Sequence, residues 1–204
     1  MDSSIEKLMP NKVNTSKKPI AKKPIAKKPV AKPIAKPIVK PVAKPVAKPD
    51  VLIGSLTYTA SEAARRPDII QAVERALKTY NTHANFSGCI HIDYDENVPT
   101  AHTVGYRGPV VFGGMISYRT ALHEFAHYVG VGTHGTWMNF VNDGRWTGEK
   151  ACAKLKEFDG PDAVLHADTL HFWNYGLNYE SELTQGADIR HVKLVRALAD
   201  DMGI

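Results

Sequence analysis

Residues 51–204 are expected to adopt an α+β fold, behind a 1–50 segment that is expected to belong to no fold. Three observations lead to this. Proline recurs at a short, nearly fixed interval up to Pro49 and the pattern then stops. Runs rich in β-branched and aromatic residues crowd the stretch from Val51 to Gly114, while amphipathic helical runs dominate from Ser117 onward. Strands first and helices later favour a mixed or mostly antiparallel sheet packed with helices on one side.

The first segment is the simplest to read. Residues 17–49 are KKPIAKKPIAKKPVAKPIAKPIVKPVAKPVAKP, with proline at 19, 24, 29, 33, 37, 41, 45 and 49. Each proline fixes φ near −65° and drives its predecessor towards extended geometry, so helix is excluded. The isolated Ile and Val residues have no partner face to bury them. The expectation is a disordered polyproline-II rod reaching at most ~3.1 Å per residue. Its 11 lysines, with no acid between them, would attract a polyanion such as nucleic acid, anionic glycan or an acidic membrane surface. No aromatic residue is interleaved to stack on bases, and a solvated spacer is the competing role. Lys-Pro-Ala repeats of this kind are similar to tails in proteins of large algal DNA viruses and to spacers in bacterial envelope proteins.

The charge follows the same boundary. Of 26 Lys and Arg, 13 lie in residues 1–50, against three acids there. Residues 51–204 keep 13 basic and 18 acidic side chains, a net of −5 beneath an overall +5. The basic character belongs to the tail, so it does not point to a nucleic-acid-binding fold. The first residues, MDSSIEKLMPNK, lack the apolar core of a secretory signal. No run approaches the ~18 apolar residues of a membrane span. A soluble chain, intracellular or packaged into a particle, is the expectation. Cys89 and Cys152 are the two cysteines, enough for one disulfide or two free thiols and too few for a Cys-rich zinc module.

Within the domain, VLIGSLTYT (51–59) reads as a first strand. Pro67-Asp68 opens a helix to about residue 80, with Ile69, Ile70, Val73, Ala76 and Leu77 on one face. CIHIDYD (89–95) alternates as a half-buried strand, and AHTVGY (101–106) and PVVFGG (109–114) read as two short strands around Arg107-Gly108. Ser117 is placed to cap a helix over 118–129. Helices over 148–158 and 187–201 complete the series, with loops between.

The helix over 118–129 carries the chemistry. His123 and His127, four residues apart, share a face and can aim two imidazoles at one ion. Glu124 sits about 100° round the helix, beside such an ion and able to act as its base. Chance gives a His-Glu-x-x-His match in a chain of this composition roughly 2% of the time. The bound ion expected of this pattern is Zn2+.

HEFAHYVG (123–130) resembles the zincin metalloproteases, and in its glycine the metzincin-like branch. The resemblance implies a zincin-like domain and hydrolysis of peptide bonds by metal-activated water. Its ligands would be His123 and His127, with Glu124 as general base and Gly130 turning the chain towards a third ligand. It also implies a strand beside the cleft that pairs with extended substrate, a place assigned to PVVFGG. Metzincins put the third histidine three residues after the glycine, where this chain has Thr133; histidine follows at His134.

LHADTLHFWNYGLNYESE (165–182) supplies competitors in His171, His166, Glu180 and Glu182. HFWNYGLNYESE is also similar to a segment that follows the same motif in secreted bacterial proteins, some joined to ricin-type lectin domains. The third ligand therefore stands as His134 or His171. Tyr175 and Tyr179 are candidate donors to a tetrahedral oxyanion, a kind of contact worth ~3 kcal/mol. Met138 and Met202 offer no clear methionine turn. Asp93, Asp95 and Glu96 form an acidic turn without a recognised calcium-loop spacing, and Trp137, Trp146 and Trp173 are expected in the core or cleft wall. The expected activity is a zinc metalloendopeptidase acting on a protein or peptide. A non-catalytic virion or wall-associated protein retaining the zinc fold, or a zinc amidase on a non-peptide amide, are the alternatives.

Overall fold

The structure is a computed structural model, and it describes residues 51–204. The 1–50 repeat, its expected polyproline-II geometry and its polyanion partner lie outside the described residues. The elements run β1 (Ser55–Ala60), α1 (Pro67–His83), β2 (Ser87–Tyr94), β3 (Ala101–Thr103), β4 (Val110–Phe112), α2 (Tyr118–Tyr128), β5 (Val141–Asn142), β6 (Arg145–Trp146), α3 (Glu149–Asp159), β7 (His166–Ala167), β8 (Phe172–Trp173) and α4 (Ala187–Met202).

The α+β class holds, with one correction to the strand directions. The main sheet has the order β1-β2-β4-β3, and β1, β2 and β4 are mutually parallel. Only β3 runs antiparallel, on the edge beside β4. The sheet is mixed and not mostly antiparallel, because α1 crosses over between β1 and β2 and so returns the chain in the same direction. Val110–Phe112 is an interior strand, and the edge strand beside it is Ala101–Thr103, with β1 at the opposite edge.

The sheet buries one face. Leu56, Ile90, Ile92, Val110 and Phe112 point into the core, while Thr57, Cys89, His91 and His102 lie on exposed positions. α1 packs with Ile69, Val73, Ala76, Leu77 and Tyr80 inward, with Ile70 half-buried at the margin. Asn81 is buried too, because its side chain closes the start of β1: Leu56 N donates to Oδ1 and Nδ2 donates to Leu56 O, both at 2.8 Å. Residues 51–53 are exposed and the strand begins only at Ser55.

A second sheet, β5-β6-β7-β8, is wholly antiparallel. It occupies a stretch expected to be loop, since its strands are two residues each and too short to show alternation. Trp137 and Trp146, the latter in β6, are both buried, with ring centroids 4.6 Å apart and planes tilted by 42°. Asp201, near the end of α4, caps α3 across the fold: its carboxylate accepts from Lys150 N at 2.8 Å, Ala151 N at 3.0 Å and Trp146 Nε1 at 2.9 Å. That arrangement satisfies first-turn N–H groups that α3 cannot satisfy itself. Cys89 and Cys152 are both free thiols. No helix among the described residues is long and apolar enough to cross a membrane.

Candidate metal centre

α2 begins as expected, with Ser117 accepting from Thr120 N at 3.1 Å. Leu122 and Phe125 are fully buried on its inner face; each such side chain stabilises the fold by about 1.5–3 kcal/mol. His123 and His127 lie on the cleft side, in a cavity of about 470 Å³ shared with Thr103, Glu124, Thr133 and His171.

The end of the helix sets one imidazole. Gly130 adopts φ 123°, and the N–H groups of Gly130 and Val131 bond to His127 O at 3.1 Å and Ala126 O at 3.0 Å. This is the Schellman turn that a glycine permits. It sends the Val131 carbonyl back to His127, whose Nδ1 lies 2.8 Å away. A carbonyl only accepts, so Nδ1 carries the proton and Nε2 is left bare. His123 follows the same logic, with Nδ1 2.9 Å from Gly176 O. Gly176 is needed there, because a Cβ would stand 2.0 Å from the Phe172 carbonyl oxygen.

The two bare Nε2 atoms face each other at 3.2 Å. Two acceptors cannot bond without a further proton. Burial, and the neighbouring His127, hold His123 down to about 3, and burial holds His127 down to about 4. A shared cation answers this geometry: two nitrogens 2.0–2.1 Å from one tetrahedral ion are about 3.3–3.4 Å apart.

His171 joins them from the loop between β7 and β8. Its ring centroid is 5.5 Å from those of His123 and His127, and the ligand atoms of the three residues lie within 4.8 Å of one another. Asp168 Oδ1 holds the loop by accepting from Leu170 N at 2.8 Å and His171 N at 2.7 Å. Trp137 Nε1 donates to the Asp168 carbonyl at 2.8 Å and ties it to the core.

His134 is not brought to this group. Successive turns after Gly130 carry it aside, where Nδ1 meets Thr136 Oγ1 at 2.8 Å and the ring stands edge-on to Tyr106. Thr133 faces the cavity instead and donates to His127 O at 2.5 Å. Glu180 Oε2 accepts from Ser117 and Arg119, both at 3.0 Å, and Glu182 Oε2 accepts from Asn178 N at 3.0 Å. His166 is exposed on β7. Asp93 binds Ser61, Asp95 binds Asn97, and neither belongs to a converging group.

Glu124 is buried beside the histidines. The Thr103 hydroxyl lies 3.0 Å from its Oε2 and 2.8 Å from its backbone oxygen. Burial pushes the carboxyl up to about 7, against the opposing pull of Thr103 and Arg119. Of the two tyrosines, Tyr179 lines the cavity with its side chain exposed. Tyr175 is turned away, its phenol donating to Asp159 at 2.6 Å. Thr103 and Gly176 carried no signal in sequence spacing, since each meets the centre from a distant element.

The described domain is thus an α+β domain with a three-histidine centre able to hold a metal ion beside a buried carboxylate. No family model, curated protein or solved structure matches the chain.

Proposed function

We propose that residues 51–204 are a zinc-dependent metallopeptidase of the zincin type, with His123, His127 and His171 as ligands and Glu124 as general base. The observation that carries it is the facing pair of proton-free Nε2 atoms, 3.2 Å apart, beside a buried carboxylate. Neutral imidazoles in that geometry suit zinc. A zinc ion held there would supply Lewis acidity, polarising the scissile carbonyl and making water nucleophilic near neutral pH. Glu124 takes the proton of the attacking water and passes it to the leaving amine, a task that suits a carboxyl titrating near 7. Tyr179, which lines the cavity, is the candidate donor to the oxyanion in this reading.

The edge strand serves the substrate. In the β3–β4 ladder, Val104 N bonds to Pro109 O and Gly113 N to Thr100 O. The alternation of an antiparallel pair then turns the backbone groups of Ala101 and the N–H of Thr103 to the free edge, along the cleft, while the Thr103 carbonyl already accepts from Gly105 N at 3.0 Å. An extended peptide can pair there by β-augmentation.

The test is metal analysis of the purified chain together with cleavage of a denatured protein. About one zinc per chain is expected, with cleavage reduced ~10²–10⁴-fold in Glu124→Gln. His171→Ala should weaken zinc strongly and His134→Ala should leave it unchanged. A chain that takes up no metal near neutral pH would sink the proposal, and zinc uptake without cleavage would reassign the domain as a binding protein.

A further inference from the structure

His191, on α4, is completely buried and has no part in the chemistry above. Its Nδ1 donates to the Tyr175 carbonyl at 2.7 Å. Its Nε2, without a proton in that tautomer, accepts from the Tyr80 hydroxyl at 3.2 Å and packs 3.1 Å from Leu122 O, which the same hydroxyl approaches at 3.0 Å. The ring stacks on Phe172 at 5.9 Å and 18°. Leu122 precedes His123, Phe172 follows His171, and Tyr175 precedes Gly176, whose carbonyl holds the His123 proton. The side chain therefore touches the three backbone segments that present the centre, each one residue away from the group presented.

We infer that His191 is a positioning residue, setting from behind α2 the alignment of His123, its Gly176 acceptor and His171. The loop it grips needs gripping. Tyr175 and Leu177 adopt φ 61° and 55°, on either side of Gly176, and non-glycine residues hold that conformation only where neighbours over-determine it. The Tyr175 phenol is fixed by Asp159 and Arg190, and its carbonyl is fixed by His191. An apolar ring would keep the stack on Phe172 but release that carbonyl, and the adjoining Gly176 carbonyl would shift with it.

The ligand assignment underlies one arm of the test, and the other arm is independent of it. The first measurement is nitrogen NMR of the metal-free protein, following the His123 Nδ1 proton. The second is zinc affinity, by competition with a chromophoric chelator. His191→Phe should lose the hydrogen-bonded His123 proton and weaken zinc about 10–100-fold, the range for lost outer-shell support. His191→Asn places an amide N–H where Nδ1 stood, and should recover both to within a few-fold. Should His191→Phe fail to fold, His191→Gln replaces it: its amide reaches towards Leu122 and not Tyr175, so the His123 proton should be lost where Asn keeps it. An unchanged His123 proton in folded His191→Phe, or in His191→Gln, would overturn the inference, as would Asn restoring nothing. A parent chain without zinc affinity removes the metal assignment alone, and the proton comparison still decides the role of His191.

Discussion

Glu124 illustrates, at the scale of one residue, a functional group that costs stability. Its folded pKa of about 7 stands above the 4.5 of a free carboxyl. A group raised in this way favours the fold fully below pH 4.5, and the benefit is lost as pH rises through 7. The metal-free protein at pH 8 carries the whole penalty, on the order of 3 kcal/mol. Glu124→Gln should therefore raise the melting temperature of the metal-free chain at pH 8, although it impairs cleavage by the zinc-loaded chain, and the gain should vanish below pH 4.5. A thermal scan at both pH values checks this. Thr103 works in the opposite direction, since its hydroxyl favours the ionised carboxylate. Thr103→Val should move the acid limb of the activity profile to higher pH and lower kcat roughly 10- to 100-fold, the scale of the ~1.5–3 kcal/mol of a hydrogen bond to a charged group. Thr103→Ser should restore both.

At the scale of elements, the site depends on how α2 ends and on how a distant loop returns to it. The Schellman turn at Gly130 does not lead the chain to a third ligand, as the family resemblance implied. It delivers a carbonyl to His127 and so selects the tautomer that leaves Nε2 free. The loop after β8 does the same for His123 through Gly176. Gly176→Ala forces a Cβ onto the Phe172 carbonyl and should weaken zinc about 10–100-fold, with the helix content by circular dichroism unchanged. Equal zinc affinity in that variant would show that the carbonyl has no role in presenting His123.

At the scale of the whole molecule, buried histidines control the response to acid. Burial lowers His191 to about 4 from 6.5. A lowered pKa means that the unfolded chain takes up the proton first, so stability present above pH 6.5 is lost as pH falls towards 4. The loss from this side chain is on the order of 3 kcal/mol. His123 and His127 shift in the same direction, so the metal-free protein should lose stability between pH 6.5 and 4, before its exposed carboxylates protonate. His191→Phe should be less stable than the parent at pH 7.5 but flatter between pH 6.5 and 4. Denaturant midpoints across that range measure both.

Much of this protein was legible residue by residue. The end of the proline repeat, the helices of α1 to α4 and the pairing of His123, Glu124 and His127 follow from local chemistry, because period, caps and i,i+4 spacing act within a few residues. Ser117 could be read as a cap for the same reason. What lies between distant segments was decided only by the tertiary structure. The parallel course of β1, β2 and β4, the edge position of Ala101–Thr103 and the second sheet of two-residue strands depend on which surfaces bury one another. The third corner of the metal centre is the clearest instance. Spacing left His134 and His171 in balance, since a ligand outside the helix has no fixed register with it. Asp168 folds the loop that carries His171, Trp137 ties that loop to the core, and His191 on α4 packs against the adjoining Phe172, while the turns after Gly130 carry His134 away.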